Sequence, residues 1–187
     1  MASVVRPGPA AAAALICGLF AAGAAAGPAL QGNYRAAASS TCLLSPLPFD
    51  STGQPTNPNL AFLAARSLSG TFTFDGQGGG QAAFKALTVA GAPTAATAAE
   101  TDAGKLHYKV TGSTATIILE HVAVAYKTGP EAGLGAVVDK IALTGGVSAD
   151  GSSLTLSGVE PSVETTTVAD GSVVFSVCET AGSLVKM

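Results

Sequence analysis

From residue 69 the chain repeats one unit: a short run with a period of two, a glycine-rich turn, and a return run. "SGTFTFDG" (69–76) sets Phe72 and Phe74 on one face and Thr71 and Thr73 on the other, the pattern of a half-buried strand. "DGQGGGQ" (75–81) reads as a turn, because Asp-Gly and repeated glycine admit positive φ, and "AAFKALTV" (82–89) returns. "KLHYKVTG" (105–112) points Leu106, Tyr108 and Val110 inward and His107 and Lys109 outward; "STATIILEHVAVAY" (113–126) comes back after a tight turn. Two later hairpins turn around Asp150-Gly151 and Asp170-Gly171, and "GSLVKM" (182–187) ends the chain as a last short strand. Eight to ten strands joined by short turns make an antiparallel meander. A meander hides its edges most completely by closing on itself. The expected fold is therefore all-β, an up-and-down barrel, with a β-sandwich as the alternative.

Three stretches break the pattern. Residues 43–58 carry four prolines and no periodicity, so they read as a long surface loop. Asn57 and Pro58 then suit the cap and first position of a helix, which predicts a short helix near 58–66. Residues 91–104, rich in alanine and threonine, read as a loop or a marginal helix.

The chain opens with Arg6, an unbroken small and apolar run over 10–26, and "AAA" at 24–26. That is the layout of a cleaved secretory signal peptide. The run is shorter than the ~20 apolar residues of a spanning helix. Cleavage after Ala26 leaves 161 of the 187 residues, expected as one domain over 27–187 in a secreted or periplasmic setting, with no stable membrane span. Cys17 leaves with the leader, and Cys42 and Cys178 remain. An even pair in an oxidising compartment favours a disulfide; two buried free thiols are the alternative. A bridge would bring the first segment of the fold beside its last strand, as a closed barrel does.

Composition excludes one large class of partner. Charged residues make up 11% of the chain, and without Arg6 eight basic residues face 12 acidic ones. No basic patch exists for a nucleic acid to meet. A chain of low charge, rich in Ala, Gly, Thr, Ser and Val, is also unlike a disordered one.

"LQGNYRA" (30–36), followed by a loop, a short helix and a run of hairpins, resembles the plan of the lipocalins and the wider calycins. That family opens its first strand with Gly-x-Trp; here Gly32-Asn33-Tyr34 stands in its place, with tyrosine for tryptophan. The family's arginine on the last strand is missing, since no arginine follows Arg66, and Lys186 is a poor substitute. The leader, "TFTFDGQGGGQA" and the near-terminal "VC" are also similar to small exported bacterial β-proteins. The resemblance implies a barrel able to hold an apolar ligand.

Candidate chemistry is sparse. If Val110 pairs with Ala115, His107 pairs with Ile118, and strict alternation puts His121 on the opposite face, so the two histidines share no metal. A zinc site needs three or four ligands, and no metal or cofactor is expected. Glu120 and His121, as strand neighbours, point apart and form no dyad. Glu120 faces inward if Ile118, Val122 and Val124 do, and would then be a buried carboxylate with a raised pKa. It faces water if Ile117, Leu119 and Ala123 are the inward set. Tyr34, Phe72, Phe74, Tyr108 and Glu120 are the candidate lining of a ligand cavity. Many small residues leave room for one, or let the barrel be narrow.

Three functional expectations follow. The first is an exported, non-enzymatic barrel carrying a small apolar molecule. The second is a structural or adhesive module acting through its sheet face and the 43–58 loop. The third, resting on fold analogy alone, is a barrel isomerase or cyclase of the allene oxide cyclase type.

Overall fold

The structure, a computed structural model, describes residues 27–91, 96–157 and 163–187. The leader expected at 1–26 lies outside the described residues. Among the described residues, nine strands follow one another: β1 (Gln31–Ser45), β2 (Phe62–Asp75), β3 (Gly79–Ala90), β4 (Ala96–Thr111), β5 (Thr114–Tyr126), β6 (Gly135–Val147), β7 (Ser153–Ser157), β8 (Val163–Val168) and β9 (Val173–Lys186). Every pairing is antiparallel, and each strand from β1 to β6 pairs with the next.

Closure comes from β9. It pairs with β1 from Tyr34–Lys186 to Ser45–Phe175, and on its other edge with β7 and then β8. Both of those short strands pair back to β6. They occupy a single stave between β6 and β9, so the nine strands make an eight-stave closed barrel on a calycin-like plan. Closure leaves no long edge to template aggregation.

Three Asp-Gly turns hold hairpins by the same device. Asp75 Oδ1 accepts from the backbone of Gln77 (2.7 Å) and Gly79 (2.9 Å), Asp150 Oδ1 from Ser152 (3.0 Å), and Asp170 Oδ1 from Ser172 (2.8 Å). Each aspartate satisfies a turn amide while the next glycine takes a positive φ, 81°, 68° and 88° in turn, a region open to glycine at little cost.

Three sequence expectations need correction. β1 runs to Ser45, so the Pro-rich loop starts later than 43. Among the described residues, helical structure is limited to Pro58–Leu60, capped by the Asn57 side chain on the Asn59 amide (3.1 Å). Phe62 already belongs to β2, whose pairing with β1 carries the segment as strand. Residues 96–104 are neither loop nor helix: β4 begins at Ala96, and residues 92–95 lie outside the described residues.

One end of the barrel is filled. Tyr34 and Tyr108 pack edge-to-face on Phe74, with ring centroids 5.1 and 5.0 Å away, and Phe72 stacks beside it. Both phenols are committed, Tyr34 Oη donating to the Gly151 carbonyl (2.6 Å) and Tyr108 Oη to that of Leu30 (2.7 Å). Leu30 is fully buried beneath this plug. Such a buried hydrogen bond fixes ring orientation and meets a carbonyl that would otherwise be unpaired.

Candidate functional site

The opposite half of the interior is polar. On β2 the inward positions run Ala64, Arg66, Leu68, so alternation carries a guanidinium into the barrel. On β4 the inward positions run Ala98, Glu100, Asp102, which places two carboxylates on one face. Arg66 Nη2 bridges them, 3.1 Å from Glu100 Oε1 and 3.1 Å from Asp102 Oδ2. Thr88, on β3 between them, donates its hydroxyl to Glu100 Oε1. From the far wall, buried Glu164 on β8 sets Oε2 3.7 Å from Cys178 Sγ. Ser40 and Thr180 hydrogen-bond across the β1–β9 seam at 2.9 Å.

Burial dominates the electrostatics here. It pushes the Asp102 carboxyl up to about 7, against the pull of Arg66 and with a further push from Glu100. It likewise pushes Glu164 up to about 7, again against Arg66. The Tyr126 phenol rises to about 12, from burial first and the Glu100 charge second. Arg66 itself is held more firmly protonated: its three acidic neighbours outweigh its own desolvation. One guanidinium therefore stands among three buried carboxyls. Two polar atoms of this group have no hydrogen-bond partner, Arg66 Nε and Asp102 Oδ1. Asp102 keeps 1% side-chain exposure and Arg66 17%.

Between the aromatic plug and this polar end lies a cavity of about 60 Å³. Ala36, Leu68, Phe72, Phe84, Leu143 and Leu156 form its apolar wall, and Ser40, Arg66, Glu164, Cys178 and Thr180 its polar end. A single water needs roughly 10–15 Å³, so the space takes several waters or a short organic chain. It is too small for a large apolar cargo.

The candidate lining residues divide accordingly. Phe72 lines the cavity. Tyr34, Phe74 and Tyr108 belong to the plug and present no free polar group. Glu120 is outside, 48% exposed, with Oε2 3.7 Å from His107 Nε2, and is not a lining residue. Glu120 keeps the alternation of Ala115, Ile117 and Leu119, and a bulge follows it at His121. The β4–β5 register shifts between Ala103 and Lys105, and His121 takes a φ of 50°. Ile117 and Leu119 face inward before the bulge, Val122 and Val124 after it, and Glu120 and His121 both face water between. Strict alternation fails because a bulge inserts a residue and re-aims its neighbours. His107 pairs with Ile118 as expected, but His121 shares its exterior side. With Lys105, Gln81, Thr71 and Thr73 these residues line a shallow outer groove. Among the described residues, no three His, Cys, Asp or Glu side chains converge to hold a metal ion.

Arg66, Glu100, Asp102 and Glu164 went unread in the sequence. A signal for the β4 pair was present: extending the inward parity of Val110, Tyr108 and Leu106 backwards reaches Asp102 and Glu100.

Compared with known proteins, the chain matches no family model, no curated sequence and no solved structure. What the site does has to be argued from its geometry.

Proposed function

We propose that the protein is an exported barrel that binds a small ligand with a short apolar body and a polar head. The observation carrying this reading is the cavity itself. Its wall is apolar, and it ends at the polar side chains of Ser40, Arg66, Glu164 and Thr180. Sites that bind small molecules combine an apolar lining with a few convergent polar groups and perturbed acids. The ligand differs from the apolar cargo expected of the calycin resemblance, since it must be compact and must bring hydrogen-bonding capacity. Export through a cleaved leader is part of the proposal and rests on residues 1–26.

Native mass spectrometry of unreduced protein from the exported fraction tests it. The expected result is a chain beginning near Gly27, two hydrogens lighter for its disulfide, with a small retained adduct. Ala36→Leu, which fills the cavity, should abolish the adduct while the protein keeps its β-sheet circular dichroism. An adduct unaffected by that change would place the ligand elsewhere.

One observation favours the adhesive reading as a second proposal. Leu63, Leu87 and Val89 stand exposed on the outer faces of neighbouring β2 and β3, and exposed apolar clusters mark interaction surfaces. Under that reading, Leu63→Lys with Val89→Lys releases the protein from cell-envelope fractions. Unchanged partitioning would remove this reading.

A further inference from the structure

Resting on the proposed binding site, we infer that its ligand is also a substrate: Glu164 moves a proton at the carbon beside a carbonyl group, and Arg66 receives the carbonyl oxygen. Both side chains line the cavity, Arg66 from β2 and Glu164 from β8. Unlike Arg66 Nε and Asp102 Oδ1, which are sealed off, the Glu164 carboxyl therefore borders the ligand space. Glu164 is only 8% exposed, and among the described residues its carboxyl has no hydrogen-bond donor. Its neighbour at 3.7 Å is Cys178 Sγ, which is bonded to Cys42 and carries no hydrogen. A buried carboxyl kept for structure alone is expected to be hydrogen-bonded. This one is left open toward the cavity.

The rest of the lining narrows the chemistry. Ser40 and Thr180 hydrogen-bond to each other at 2.9 Å, and the cysteine is bridged, so no nucleophile stands beside a base. A carboxylate against an apolar wall can still take a proton from carbon, provided that the charge left behind is met elsewhere. Arg66 is the cation of that lining, and a fixed guanidinium stabilises a developing oxyanion. The substrate class is then a short ketone or enone, held to a few carbons by the cavity of about 60 Å³. The step balances without a cofactor. The Glu164 carboxylate takes the α-proton, the C–H pair becomes the C=C bond of an enolate, and the carbonyl π pair moves to the oxygen beside Arg66. Return of the proton to the same carbon is exchange. Return to the γ-carbon of a β,γ-unsaturated ketone shifts its double bond.

Acidity fits the role. Burial pushes the Glu164 carboxyl up to about 7, against the pull of Arg66, and a base that titrates near the working pH is efficient. The base acts ionised, so the rate rises with pH through 7 and levels off above it. Arg66 faces Glu164 from β2, with Glu100 and Asp102 of β4 behind it. The other facing groups carry no charge: Ser40, Thr180 and the bridged sulfur from β1 and β9, Ile141 and Leu143 from β6, and Leu156 from β7. Asp102 titrates in the same range, so variants rather than the pH profile assign the base.

The test uses 2-butanone in deuterated buffer with the exported, disulfide-bonded protein. Proton NMR follows the loss of the α-hydrogens, and saturation-transfer difference spectra report binding in the same tube. The expected result is exchange faster than in buffer alone, rising from pH 6 to pH 8. Glu164→Gln should keep the binding signal and slow exchange about a hundredfold. Glu164→Asp, which retains a carboxylate, should recover part of that loss. Ala36→Leu, which fills the cavity, should remove binding and exchange together. Binding without exchange above the buffer rate, or exchange that survives Glu164→Gln, overturns the proton transfer and leaves the binding site standing. Absence of binding overturns both.

Discussion

Cys42 and Cys178 stand directly opposite each other on β1 and β9, with Cα atoms 4.0 Å apart and their sulfurs bonded. The bridge lies on the seam that closes the barrel and spans 136 residues of sequence. It points into the interior beside Glu164, so the covalent closure and the polar end of the cavity are one neighbourhood.

Removing the bridge should weaken the barrel without abolishing it. In the chain-entropy model a loop of this length contributes ~4–5 kcal/mol, and measured values often fall below the model. The β1–β9 ladder extends well beyond the cysteines and survives their loss. Cys42→Ala with Cys178→Ala is expected to lower the urea midpoint by an amount equivalent to about 2–4 kcal/mol, with an unchanged far-ultraviolet spectrum. Hydrogen exchange should quicken most along β1 and β9.

Stability should peak in mildly acidic solution. Asp102 and Glu164 have folded pKa values near 7, above their ordinary values of 3.8 and 4.5. The folded state therefore holds these protons more tightly. Their contribution is fully present below about pH 4 and is lost as pH rises to 7. The turn aspartates act in the opposite sense: hydrogen bonds from Ser152 and Ser148 hold Asp150 down at about 2. Asp75 and Asp170 are lowered by bonds from the residues after them. That contribution is present above pH 4 and lost on acidification. Melting temperature measured from pH 2 to pH 8 should pass through a maximum near 4–5. Glu164→Gln should flatten the alkaline side.

Arg66→Met should be among the most damaging single changes. It leaves three buried carboxyls without their cation, and removing one partner of a buried ion pair costs about 3–5 kcal/mol. The loss should be larger at pH 8 than at pH 5, because the acids can escape by protonation in the acidic range. Denaturant unfolding at the two pH values checks this; equal losses would mean that the guanidinium acts by packing alone.

Gly70→Ala tests the tight curvature beside the cavity. A Cβ there would lie 2.3 Å from the Ala83 carbonyl oxygen and 2.5 Å from Phe84 Cα. Those are backbone atoms of β3 and cannot swing aside. A loss of about 1–3 kcal/mol is expected, seen as a lower thermal midpoint. Tyr34→Phe, which removes only the bond to the Gly151 carbonyl, should cost about 1–2 kcal/mol and leave ligand retention intact.

The barrel was legible in the sequence because Phe72, Phe74, Leu106, Tyr108 and Val110 alternate cleanly and three Asp-Gly turns mark hairpin ends. The bridge was legible because Cys42 and Cys178 are the only cysteines after residue 26. The candidate site was not. Its members are charged residues at inward positions, so each one interrupts the apolar alternation that marks a strand. Arg66 sits after a good helix-start signal, and Glu100 and Asp102 sit in an alanine-rich stretch with little β propensity. Tertiary pairing overrode both local preferences. The outward placement of His121 beside Glu120 turned on a bulge at this non-glycine residue of positive φ, which no local turn residue announced.

The account stands or falls on what fills the space between Phe84 and Glu164. A crystal structure of unreduced protein from its exported fraction, grown at pH 8 and fine enough to show ordered water, measures it directly. The account predicts continuous density for a short organic body against Leu68, Phe84 and Leu143, with a polar head within hydrogen-bond distance of Arg66, Glu164 or Thr180. A cavity closed by side chains, or holding only waters, would contradict it.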